Sequence, residues 1–104
     1  MGMILTARHV SAKEGLELGF VNEVLPQAGL MAAAECWAET ICKNSPMSIR
    51  ASKQAIQRGL EVSLEQAMAE QREYPAVKAM AASQDYIEGP TAISEKRPPK
   101  WLGR

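Results

Sequence analysis

The sequence predicts a mainly α fold, and three observations lead there. Aromatic residues make up 5% of the 104 residues, while alanine and methionine are plentiful, a balance that favours packed helices over a sandwich or barrel. Apolar residues recur at i, i+3 and i+4 over long stretches. Helix-start signals recur at Ser11, Ser45, Ser63 and Ser83, whereas only Phe20 to Leu25 reads as a short strand.

Taken in order, Met1 to Leu5 reads as the last turn of a helix. Ser11 followed by Glu14 forms a capping box, in which the serine hydroxyl accepts from the Glu14 N–H and the carboxylate can reach back. Leu16 and Leu18 close that helix, and Gly19 supplies a left-handed end. Phe20, Val21, Val24 and Leu25 read as a strand stopped by Pro26, although no partner strand precedes it. From about Gly29 to Asn44, Leu30, Ala33, Ala34, Trp37, Ala38 and Ile41 form one apolar stripe. Ser45 and Pro46 restart a helix as N-cap and first residue, carrying Met47, Ile49, Ala51, Ala55, Ile56 and Leu60. Ser63 and Gln66 form a second capping box, and Pro75 should kink or split the helix begun there. Ser83 caps a short turn that Gly89-Pro90 should break, with one more turn after it. "PPKWLGR" reads as an extended tail.

Twelve basic and twelve acidic residues cancel, which argues against nucleic-acid binding through a broad basic face. No apolar run is long enough to span a membrane. Cys36 and Cys42, on one helix, would be separated by about 9 Å of rise, too far for a disulfide. Two reduced, packed thiols and no signal peptide suit the cytoplasm.

Few residues suggest chemistry. His9 is the sole histidine, and no serine-and-acid pattern accompanies it. With Cys36 and Cys42 it lacks the close paired spacing of a zinc site, so no metal is expected. Glu35 with Glu39, Glu61 with Glu65, and Glu70 with Glu73 lie on wet helix faces, without the apolar pocket that a general acid or base needs. No catalytic residue is expected in this chain. The tail gathers Lys96, Arg97, Lys100 and Arg104 around Trp101. Such a group could hold phosphate and stack on a base, or the tryptophan could simply pack back onto the helices.

"MILTARHVSAKEGLELGFVNEVLP" resembles the crotonase family, the enoyl-CoA hydratases and isomerases, in the segment after their catalytic core. There a run "LLLTGR" leads into "xxAxEAxxxGLV" and "VxxVVP"; here Ala7 replaces the usual glycine and Gly15 the usual alanine. "ICKNSPMSIRASKQAI" is similar to "IAxxSPxAxxxxKxAL", and "SLEQAMAEQ" to the next helix. "SQDYIEGPTAISEKRPPKWLGR" is similar to the closing "SxDxxEGxxAFxEKRxPxFxGR". The likeness covers essentially the whole chain, with Pro75 and Ile93 as further departures.

The resemblance implies the carboxyl-terminal helical region of a crotonase-like fold. Residues 1–26 would join the core, and residues 27–104 would form a helical, subunit-packing region with a basic tail. The spiral β-core, the oxyanion-hole amides that stabilise an enolate and the acidic residues that move protons would lie outside this chain. Lys96, which matches the lysine of the family's "EKR", would meet the phosphate-bearing end of an acyl-CoA substrate. CoA would be part of that substrate, with no separate cofactor. A homo-oligomer, trimer or hexamer, is implied, built on the two apolar stripes unless these face one another within the chain. The other reading of the sequence is a helical assembly or scaffold module without chemistry.

Overall fold

The computed structural model describes residues 1–104, of which 65% are helical, and no strand forms. Seven α-helices run in order: α1 Gly2–Leu5, α2 Ala12–Glu17, α3 Leu30–Cys42, α4 Pro46–Gly59, α5 Leu64–Glu70, α6 Pro75–Ala81 and α7 Gln84–Ser94. Single 3-10 turns occupy Gln27–Gly29 and Gln71–Glu73. The chain resolves into two compact units, Met1–Cys36 and Trp37–Arg104, with the division falling inside α3.

The four serines act as N-caps. Ser11, Ser45, Ser63 and Ser83 accept from the backbone N–H of Glu14, Ser48, Gln66 and Tyr86 at 3.2–3.3 Å. Each thereby satisfies one of the N–H groups that a helix start leaves orphaned. The Glu14 carboxylate accepts from the Arg8 guanidinium at 2.7 Å.

In the first unit, α2 ends on Gly19 at φ +83°. The Phe20 N–H donates to the Gly15 carbonyl at 3.2 Å and the Gly19 N–H to Leu16 at 3.1 Å, the double closure of a Schellman turn. Val21 donates to Gly15 as well. Phe20 and Val21 therefore fold back over α2, and a Cβ at Gly15 would lie only 2.9 Å from Val21 Cγ2. This explains why Phe20–Leu25 is not the expected strand. Its first two N–H groups are spent on the helix end, and no second strand exists to take the others. Gly15, with no Cβ, leaves room for that close return.

In the second unit α4 packs chiefly against α6, with Ala51 and Tyr74 buried. Tyr74 is extended at φ −64°, ψ 134°. A residue before proline avoids the helical region, so Pro75 splits the predicted helix and becomes the first residue of α6. Pro90 behaves otherwise: α7 runs unbroken through it. An interior proline forfeits a backbone bond at a cost of about 3 kcal/mol. Here both halves of α7 are held from outside, through Asp85 and Glu88 before the proline and through Ala92, only 1% exposed, after it.

No residue of α3 is buried: Leu30 is 58% exposed, and Trp37 and Ile41 about half. On α4 the apolar positions divide. Ala51 is buried and Ala55 half-buried, but Ile49, Ile56 and Leu60 face outward. No large side chain anywhere is fully buried, and the accessible surface is 8507 Å². The cysteines depart from expectation in one respect: both are free thiols, but they are exposed on α3 rather than packed.

Candidate functional site

The basic tail is not loose. It is strapped along α7 by two acidic residues one helical turn apart, Asp85 and Glu88, on the same helix face. α7 closes at Ser94 with another Schellman turn: Arg97 N–H donates to Ala92 at 3.0 Å and Lys96 N–H to Ile93 at 3.1 Å. Lys96 occupies the left-handed position of that turn at φ +54°. That conformation costs a residue with a Cβ about 1–2 kcal/mol, and glycine usually fills it. The Lys96 side chain is exposed.

Immediately after it the chain is pinned. Arg97 grips Glu88 with two nitrogens, Nη1 to Oε1 at 2.6 Å and Nη2 to Oε2 at 2.9 Å, while its Nε bonds Glu95 at 2.6 Å. Glu88 Oε1 also accepts from the Lys100 N–H at 2.6 Å. The Arg97 hydrogen bonds and that backbone bond pull the Glu88 carboxyl down to about 2 from its usual 4.5. Arg97 is held more firmly protonated in return, chiefly by Glu88.

Further along, Leu102 N–H donates to Asp85 Oδ1 at 2.7 Å, and Gly103 N–H reaches both oxygens at 3.2 Å. Ser45 Oγ, at the start of α4, donates to Oδ2 at 2.8 Å. One buried carboxylate thus joins the tail, α7 and α4. Burial by itself would raise the Asp85 pKa. The bonds from Leu102, Ser45 and Gly103 outweigh it, and the net shift is downward. Gly103, at φ +71°, lies against Pro46. Trp101 rests over Gly89 and donates its Nε1–H to the Lys43 carbonyl at 2.8 Å. The tryptophan is thus packed back onto the helices.

The other candidates named from the sequence remain apart. His9 is exposed in the turn between α1 and α2, and all six residues of the three glutamate pairs are exposed, with Glu61 in the turn after α4 and Glu73 in the 3-10 turn after α5. No three His, Cys, Asp or Glu side chains converge as a metal site would require. Asp85 and Glu88 were not singled out from the sequence. Their i, i+3 spacing in "SQDYIEG" was a readable signal, since it sets two carboxylates on one face beside a basic tail.

The sequence profile described as enoyl-CoA hydratase/isomerase matches residues 1–104. Carnitinyl-CoA dehydratase from Escherichia coli strain K12 is 38% identical over 98% of this chain, and that from Salmonella typhi 36%. The chain spans about 40% of the length of these curated relatives. Among solved structures, an enoyl-CoA hydratase from Bacillus anthracis superimposes with a TM-score of 0.85 at 34% identity, over 99% of this chain and 39% of that one. An enoyl-CoA hydratase/isomerase from Mycobacterium paratuberculosis gives 0.86 at 31% identity, over 94% and 38%.

Proposed function

This chain belongs to the enoyl-CoA hydratase/isomerase family, and from that premise we propose that it is the helical, subunit-packing share of an enzyme acting on acyl-CoA thioesters. In that reading the intact enzyme hydrates or shifts the double bond of the acyl group. This chain adds Lys96 at the phosphate-bearing end of CoA, which is part of the substrate rather than a separate cofactor.

The observation that carries the residue assignment is the conformation of Lys96. A strained left-handed residue persists only where its surroundings hold it, and such strain gathers at ligand contacts. Here the helix end fixes one side of Lys96 and the Arg97–Glu88 grip fixes the other, so an exposed ammonium is presented from a rigid turn. A lysine of that kind suits a phosphate as a point charge.

The chain by itself is inert in this proposal. A general acid or base works best with a pKa near the operating pH. Asp85 and Glu88, the two carboxyls with perturbed pKa values, are instead held ionised and committed to the tail. Assay of the purified chain on a short enoyl-CoA, beside an intact family hydratase as control, is expected to show no turnover; turnover would place an acid–base pair in the helices and overturn the reading. Lys96→Ala should weaken CoA binding by the assembled enzyme several-fold, and unchanged binding would remove the lysine assignment.

The outward apolar residues of α3 and α4 favour a second role, packing against further copies of the chain in a trimer or hexamer. Sedimentation at increasing concentration tests it. Oligomers that never bind acyl-CoA would instead favour an assembly module without chemistry.

A further inference from the structure

The outer face of α4 carries a feature the tail does not touch. Arg50, Lys53 and Gln57 fall at i, i+3 and i+7 on one side of the helix, with Arg58 and Glu61 close by. With Gln54 they line an open cleft of about 870 Å³ between α4 and the start of α6. That is within the size range of small-molecule sites.

The charges in this cleft are unbalanced. Three cations face one carboxylate, for a net charge of +2. Arg8, Lys78 and Arg97 each hold a carboxylate elsewhere in the chain, whereas Arg50, Lys53 and Arg58 hold none. Arg50 donates only to the Met47 sulfur, at 3.7 Å, and the Arg58 guanidinium lies 5.2 Å from the Tyr74 ring centre. Gln54 is fixed by accepting from the Ala76 N–H at 2.8 Å, which leaves its NH₂ group as the donor still to be used. The wall therefore offers two guanidinium forks, one ammonium and amide donors, and few acceptors. Such a donor set matches the oxygens of a phosphate better than those of a single carboxylate. The cations lie within about two turns of one helix beside the Gln54 amide, a span that suits a compact anion.

We propose that this cleft binds a small phosphate-bearing anion, of the pyrophosphate or phosphate-monoester class. The site is separate from Lys96. Titration of the full chain with inorganic pyrophosphate, followed by calorimetry at fixed ionic strength, tests it. The expected result is saturable binding of one anion per chain. It should weaken at least tenfold in Arg50→Ala/Lys53→Ala and stay unchanged in Lys78→Ala, with far-UV circular dichroism showing all three folded. Absence of saturable binding, or equal binding by the double variant, would overturn the proposal. A competition arm with CoA identifies the source of the phosphate. Displacement of pyrophosphate would assign the cleft to CoA itself, and independent binding would assign it to a free phosphate compound; either supports the site.

Discussion

The turn after α1 and the turn after α7 close in the same way. In each, a residue other than glycine takes a left-handed backbone, Ala7 at φ +50° and Lys96 at φ +54°. In each, two N–H groups bond back into the helix: Arg8 to Met3 and Ala7 to Ile4, then Arg97 to Ala92 and Lys96 to Ile93. The segments beyond the two turns differ. After Ala7 the next tie is the exposed Arg8–Glu14 pair, six residues apart. After Lys96 the chain is tied to Glu88, Asp85 and Lys43, at separations of up to 58 residues. Local sequence suffices to build the turn. Only distant polar anchors fix the segment beyond it.

The comparison breaks first at Asp85. Asp85→Ala removes the acceptor of Ser45, Leu102 and Gly103, and a thermal melt should fall by about 10 °C or more. Amide exchange at Leu102 and Gly103 should rise with it. Glu14→Ala, the counterpart in the first unit, should stay within about 0.5 kcal/mol of the parent, as exposed pairs do. A melt unchanged by Asp85→Ala would mean that the tail is held by something other than this carboxylate.

Acid should act on the same anchors. Glu88 titrates at about 2 when folded and at its ordinary 4.5 when unfolded, so between those values the unfolded chain binds more protons. Its contribution is whole above about pH 4.5 and is lost as pH falls toward 2; Asp85, also lowered from 3.8, shifts stability in the same direction. Trp101 fluorescence followed down this range should report loosening of the tail, and a flat signal to pH 2 would count against it.

The serine caps sharpen the comparison further. Ser63→Ala should cost about 1 kcal/mol, the usual value of an N-cap. Ser45 also donates to Asp85, so Ser45→Ala should cost roughly twice as much by denaturant unfolding. Equal costs would show that the Ser45–Asp85 bond contributes nothing.

The smallest effects belong to the left-handed residues themselves. Ala7→Gly and Lys96→Gly should each stabilise by up to about 1 kcal/mol through relief of backbone strain. Under the proposed function, only the second should also weaken CoA binding by the assembled enzyme. If both are neutral in binding, the strain at Lys96 has no link to a ligand.

Much of this was legible in the residues because it is local. The four serine caps, the left-handed Gly19 and the split at Pro75 each depend on neighbours within four positions. The strand at Phe20 to Leu25 was not, because a strand exists only where another backbone receives it, and Phe20 and Val21 bond to Gly15 instead. Pro90 looked like a break because the sequence does not display the anchors on either side of it. In the tail, the cluster of basic residues around Trp101 was visible in the sequence, but the strap was not. The donors that fill Asp85 and Glu88 include the backbone N–H groups of Lys100, Leu102 and Gly103, which carry no residue-type signature.

The indole bond from Trp101 to Lys43 spans 58 residues, whereas the helix caps span three. Closing so long a loop costs entropy that is recovered only when the tail seats, so contacts of this kind form late on the way to the native state. The strap should accordingly act on the rate of escape from the folded state more than on the rate of arrival. Asp85→Ala is expected to speed unfolding in stopped-flow measurements while leaving refolding nearly unchanged, and a slowed refolding limb would place the strap in the folding nucleus. A short basic tail is, in that sense, a latch on kinetic lifetime.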